Sequence, residues 1–192
     1  MKQTIIAVIC FLCVSSLYIQ AQKINHPSLL YTPQRIQQVK QRMQHEPKLQ
    51  EAWGDIKKTA DKALQKKDFN RLDYLSLAYL MTDNKEYADA IKEILLKAVE
   101  AESWGDVEMM ARIPAWRSQL GMAHKSFLSA VGYDAAYNVM SSSERKKIAE
   151  GLKRLAVEPA LGDWLLEPTR IHSLNSMGHN WWTSCVCRSE EH

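Results

Sequence analysis

Between residues 33 and 155 apolar side chains return three and four positions apart, in blocks that each open on a helix-start signal. That periodicity constrains the chain more than any other feature, because it commits successive segments to amphipathic helices that must bury their stripes against one another. Thr32 before Pro33 pairs an N-cap with a proline at the first helical position, where its missing N–H costs nothing. Ile36, Val39 and Met43 follow, which predicts a helix over 33–44. Pro47 opens a second helix in the same way, with Leu49, Ala52, Trp53, Ile56, Ala60, Ala63 and Leu64 on one face.

The third block, 72–81, is apolar nearly all round, in Leu72, Tyr74, Leu75, Leu77, Ala78, Tyr79 and Leu80, and suits an inner helix. Thr82-Asp83-Asn84 then reads as a turn into a fourth helix whose core face runs from Tyr87 through Ile91, Ile94 and Leu95 to Val99. Residues 103–117 break the pattern with Gly105, Pro114 and two tryptophans. Loops on a helical scaffold are where binding groups concentrate, so Trp104, Trp116 and Arg117 are candidate ligand contacts; the plainer reading is that each Trp seals a helix end. A fifth helix is expected over 118–140, with His124 on or near its apolar stripe. Ser141 and Glu144 make a capping box for a sixth, through Ile148, Leu152 and Leu155. From Glu158 onward Pro159, Gly162 and Pro168 suggest a polar, turn-rich segment. No strand signal occurs, so the fold class is all-α, in antiparallel hairpins.

The first residues give a different signal. Lys2, the apolar run from Thr4 to Val14 and the polar stretch ending near Ala21 form a secretory signal peptide over 1–22, too short for a confident membrane span. The mature chain, 23–192, is thus expected in the periplasm or secreted, with no membrane span after signal removal. Of four cysteines, Cys10 and Cys13 would leave with the signal. Cys185 and Cys187 alone make a poor tetrahedral site and a strained bridge, so two buried thiols and no metal are expected. The formal charge of +3, one less without Lys2, gives no case for nucleic acid.

Near the C-terminal end stands Ser176-Met177-Gly178-His179-Asn180-Trp181-Trp182. Flat indoles stack on pyranose faces, an Asn can hydrogen-bond a carboxylate, and a His carries a proton near neutral pH. The alternative is structural: a buried helix start with Asn180 or Ser176 as its cap.

With these residues in view, the chain resembles the N-terminal helical toroid of the heparinase II/III-like polysaccharide lyases, over nearly all of 23–192. The resemblance rests on His26-Pro27-Ser28-Leu29-Leu30-Tyr31, on Ala78-Tyr79-Leu80 with Lys85-Glu86-Tyr87-Ala88, on Gly132-Tyr133-Asp134-Ala135-Ala136-Tyr137 with Ser141-Ser142-Ser143-Glu144-Arg145, and above all on His179-Asn180-Trp181-Trp182. It implies part of an (α/α) toroid acting by β-elimination on uronic-acid-containing glycans of the heparin, chondroitin or alginate type, without a cofactor. Asn180 would neutralise the uronate carboxylate with His179 as its helper, and Trp181, Trp182, Trp116 and Arg117 would contact substrate. In chondroitin and hyaluronan lyases an Asn-Trp-Trp run forms an aromatic binding patch instead, which would move Asn180 from catalysis to binding.

The sequence also departs from that family, whose members carry a catalytic Tyr, a further His and a β-sheet domain downstream. The expectation is therefore a truncated toroid of poor stability with little or no lyase activity. Two other classes remain open. A helical-repeat interaction module would need a fixed period, which the unequal helix lengths do not show. An (α/α)-barrel glycoside hydrolase would need paired carboxylates. Asp163 and Glu167 are the acids of the segment that leads into the motif, and capping or solvation is their expected role.

Overall fold

The structure, a computed structural model, describes residues 24–113, 115–166 and 184–185. Among the described residues every regular element is helical: α1 (Pro33–Met43), α2 (Pro47–Lys66), α3 (Leu72–Thr82), α4 (Lys85–Ala98), the single turn α5 (Val107–Met110), α6 (Leu120–Ala136), α7 (Ser142–Leu152) and α8 (Glu158–Ala160). The all-α class read from the periodicity is what the chain adopts. None of these helices is long and apolar enough to cross a membrane.

The helix starts follow the local chemistry. Thr32 accepts from Arg35 N–H at the head of α1, Asn84 from Glu86 N–H at α4, and Ser141 and Glu144 form the reciprocal capping box of α7. Each such cap is worth about 1 kcal/mol. Lys67 and Asp83 stop α2 and α3 in the left-handed region, at φ 49° and 57°, so each chain reversal is made within a few residues.

Packing then sorts helices into inner and outer. α3 lies against α2, α4 and α6, and α6 also touches α4 and α7. Leu72, Leu75 and Ala78 of α3 are wholly buried, as are Ile91 and Leu95 of α4 and Ile148 of α7, in one continuous core. The all-round apolar character of α3 is thus used on three sides. The unequal helices, 20, 11, 14 and 17 residues for α2, α3, α4 and α6, carry no fixed repeat.

A buried carboxylate ties the N-terminal segment to α6. Asp134 accepts from Ser28 N–H at 2.9 Å, from Leu29 N–H at 2.9 Å and bonds His26 Nδ1 at 2.6 Å. Asn138 donates to the His26 carbonyl, and the His26 ring stacks on Tyr137 at 3.8 Å. Two of the segments on which the resemblance rests, 26–31 and 132–137, are therefore in direct contact. An Asp at this place gives the incoming chain a partner for amides that would otherwise be buried without one.

Three expectations need correction. The segment from Glu158 to Leu166 is not turn-rich: the helix of α7 runs on through widened turns at Lys153–Val157 and Leu161–Leu166. Pro159 has no N–H for the carbonyl four residues back, and widening to i→i+5 spacing accommodates it without ending the helix. The fifth helix is shorter than 118–140, giving way to a 3₁₀ turn at Tyr137–Val139. His124 is exposed rather than part of the α6 stripe, because the burial arc of α6 passes through Met122, Ala123, Leu128 and Val131.

Gly151 marks the tightest approach between elements, since a Cβ there would lie 2.4 Å from Val99 Cβ at the end of α4. Alanine is otherwise favoured over glycine in a helix by up to about 1 kcal/mol. Here the overlap outweighs that gain, and Gly151→Ala is expected to destabilise by about 1–2 kcal/mol, lowering Tm by about 3–8 °C in a thermal melt. Because the clash is with Cβ itself, Val99→Ala will not relieve it.

Candidate functional site

Since α3, α4 and α6 are consecutive packed helices, the connections that enter the inner helices, 67–71 before α3 and 99–119 before α6, lie at one end of the molecule. Phe69 and Trp104 meet there edge to face, with ring centroids 6.3 Å apart. Trp104 is buried and donates its indole N–H to the Ala98 carbonyl at 3.2 Å, which seals the C-terminus of α4. Asp106 caps α5 through Glu108 N–H, and its own N–H donates to Gln119 Oε1 at 2.6 Å. The buried Gln119 amide then donates to the Trp116 carbonyl, so one side chain closes the loop at two points.

The organising group of this end is Asp163, which has no exposed surface. Its Oδ2 accepts from Arg117 N–H at 2.6 Å, Ser118 N–H at 2.9 Å and Ser118 Oγ–H at 3.1 Å, while Oδ1 accepts from Arg117 Nη2 at 3.3 Å. Such a carboxylate is tolerable in the interior because amides, a hydroxyl and a guanidinium replace its water shell. The Ser118 carbonyl accepts both the Trp116 and Trp164 indole N–H groups, at 3.1 and 3.0 Å, which holds the rings edge to face. Arg117 passes over Gly162, where a Cβ would stand 2.6 Å from Nη2.

Three of the residues expected at a site are therefore described: Trp104, which seals the end of α4, and Trp116 and Arg117, which belong to this cluster. Trp116 is 4% exposed, with its N–H engaged, and serves packing rather than an open stacking face. Arg117 keeps about a third of its side chain exposed and is held in place by Asp163. His179, Asn180, Trp181 and Trp182 lie outside the described residues, as do Glu167 and Cys187. Asp163 is neither solvated nor free for acid–base work, which removes the described half of the carboxylate pair a hydrolase would need. Trp164 and Ser118 are parts of the cluster that spacing did not reveal.

Cys185 packs with Trp116, Ala123 and Trp164 and carries no disulfide, and burial pushes its thiol up to about 12. Tyr31, near Asp73 and Tyr74 in the first turn of α3, is likewise pushed up to about 12 by burial and then by the Asp73 charge. At neutral pH that phenol is a proton donor and not a base. Among the described residues no group of three His, Cys, Asp or Glu is placed to hold a metal ion.

Two adjoining recesses open at this end. One, of about 550 Å³, is lined by Lys66, Lys67, Phe69, Lys97, Trp104 and Lys125 among others. The second, of about 450 Å³, shares Trp104 and Lys125 and continues along Asp106, Met109, Gln119 and Leu120. Met109 also packs on the Trp116–Trp164 cluster, so recess and cluster are contiguous. No protein-family model matches the chain, and no curated protein matches it in sequence.

Two outcomes are expected of the cluster. Asp163→Asn presents an NH₂ to donors and leaves them unmatched, at a cost of about 3 kcal/mol, measurable as a lower denaturation midpoint with unchanged slope. A thiol held protonated does not alkylate. At about pH 8 iodoacetamide should leave the Cys185 peptide of the native chain unlabelled and label it fully in denaturant, as read by peptide-resolved mass spectrometry.

Proposed function

We propose that the chain is a polysaccharide-lyase-like protein, exported by its first 22 residues, whose helices are part of an (α/α) toroid that takes uronic-acid-containing glycans. The described observation that supports it most is a contact between two residues far apart in sequence. Trp164 and Cys185, on either side of the 176–182 stretch in sequence, pack in one cluster with Trp116, and that cluster adjoins the lysine-lined recesses. Trp164 and Cys185 thus meet at the end that carries a concave, basic, aromatic surface.

The chemistry follows from the uronate. A base removes the C5 proton, the electron pair forms the C4–C5 double bond, the C4–O bond breaks, and the leaving oxygen takes a proton. The C5 carbanion is costly beside a charged carboxylate, so a donor that neutralises the carboxylate lowers the barrier. Asn180 fills that role in this reading and His179 assists it, with Trp181 and Trp182 stacking on sugar faces and Arg117 available at the rim.

The test is direct. The full chain is incubated with alginate, chondroitin sulfate and heparan sulfate, and the unsaturated product is followed by its ultraviolet absorbance. A slow rise with at least one polymer is expected, reduced about a hundredfold in Asn180→Ala. Equal turnover in the variant would return Asn180 to a binding role, and no rise with any of the three would end the reading of this chain as an active lyase.

A further inference from the structure

The larger recess combines three features that the core and the Asp163 cluster leave unexplained. Four lysines, Lys66, Lys67, Lys97 and Lys125, line it against the single acid Glu93, and Glu93 is already paired with Lys67. Lys66, Lys97 and Lys125 have no ion pair among the described residues. The remaining lining is Phe69, Ile94, Ala98, Ala101 and Trp104, all apolar, with the neutral Ser103.

Helix ends account for part of this. Lys66 and Lys97 stand in the last turns of α2 and α4, where a cation complements the helix dipole. Lys125 stands in the second turn of α6, where the dipole offers a cation nothing, and no acid among the described residues pairs with it. It also lines both recesses, as Trp104 does. Positive charge brought together around an apolar hollow costs self-repulsion, and an anion bound there relieves it. A volume of about 550 Å³ lies within the range of small-ligand sites.

We propose that this recess is a binding subsite for an acidic oligosaccharide, with Lys97 and Lys125 holding its oxyanions, carboxylate or sulfate, and the half-buried Phe69 ring, backed by the buried Trp104, taking an apolar sugar face. The assignment of a saccharide rests on the function proposed above; the binding of an oligomeric anion rests on the recess itself. Lysine suits this task as a mobile point charge that follows an anion on a flexible chain, and specificity then comes from the wall.

Calorimetric titration of the full chain with three probes tests it: a uronate tetrasaccharide without sulfate, a heparin-derived tetrasaccharide, and maltotetraose. One or both acidic probes should bind, more weakly as salt rises, and maltotetraose should not. Binding of the uronate probe identifies carboxylate recognition, and binding of the heparin probe alone identifies sulfate recognition. The double variant Lys97→Ala, Lys125→Ala should bind about tenfold more weakly, whereas Lys146→Ala, an exposed lysine of α7, should bind as the parent does. Unchanged affinity in the double variant, with an unaltered melting curve, would overturn the proposal, as would equal binding of maltotetraose. Lost binding in the double variant with no unsaturated product from the parent would sustain the recess and end the elimination reading. Product from the parent with unchanged affinity in the double variant would do the reverse.

Discussion

The packing of α3 against α6 is the contact on which the rest depends. Leu72, Leu75 and Ala78 on one side and Leu128, Val131 and Ala136 on the other are almost without exposed surface. Gly132 keeps the helices close: a Cβ there would stand 3.3 Å from Ile91 and 3.4 Å from Leu72. Two helices this apolar cannot face water, so α2, α4 and α7 must cover them with single stripes. With inner and outer helices alternating along the chain, every outer-to-inner connection falls at one end. The location of the recesses is therefore a consequence of the core and not an independent feature.

Much of the helical layout is legible in the sequence because its determinants are short-range. Thr32-Pro33, Asn84 and Ser141 with Glu144 act within three residues of the end they fix, and the apolar stripes act within one helix. What escapes sequence reading is set by partners far along the chain. Pro159 looks like a helix stop, yet it is buried where the helix of α7 continues, and the widened turns on either side absorb the missing donor. His124 differs from a core residue only by its angle around α6. Asp134 and Asp163 look like surface acids until segments 106 and 46 residues away supply their amides. Of the residues read as a site, Trp104, Trp116 and Arg117 fall among those described; Trp104 seals the end of α4, and what holds the other two is the Asp163 network that the spacing gave no hint of.

The two buried carboxylates do the same physical work at different ends of the chain. Each takes backbone N–H groups from an irregular segment that a helix must hold, Ser28 and Leu29 in one case, Arg117 and Ser118 in the other, and each has a cationic or imidazole partner besides. A carboxylate offers several lone pairs in one place, so a single side chain fixes a loop that would otherwise need several. Fixing the loop also fixes what the loop carries. Trp116, Trp164 and Cys185 are packed where Asp163 holds the backbone, and the wall of the second recess runs on from them.

This matching of buried charge gives the lysines of the larger recess their meaning. Where charge enters the interior, donors surround it; where lysines lie on the outer helix faces, several are paired with acids, as Lys57 is with Asp61 and Lys147 with Glu100. Those pairs hold the acids below the usual carboxylate range, mainly through the hydrogen bond each accepts, from Tyr87 and then Lys57 for Asp61 and from Lys147 for Glu100. The recess departs from that pattern, since among the described residues three of its four lysines form no ion pair, Lys97 acting on Glu100 only through its charge, and its walls are largely apolar. Packing alone does not call for such an arrangement, because lysines pointing away from the hollow would cover the same helix ends with less repulsion. An oligomeric anion seated in the hollow would supply the countercharge that the described residues leave out.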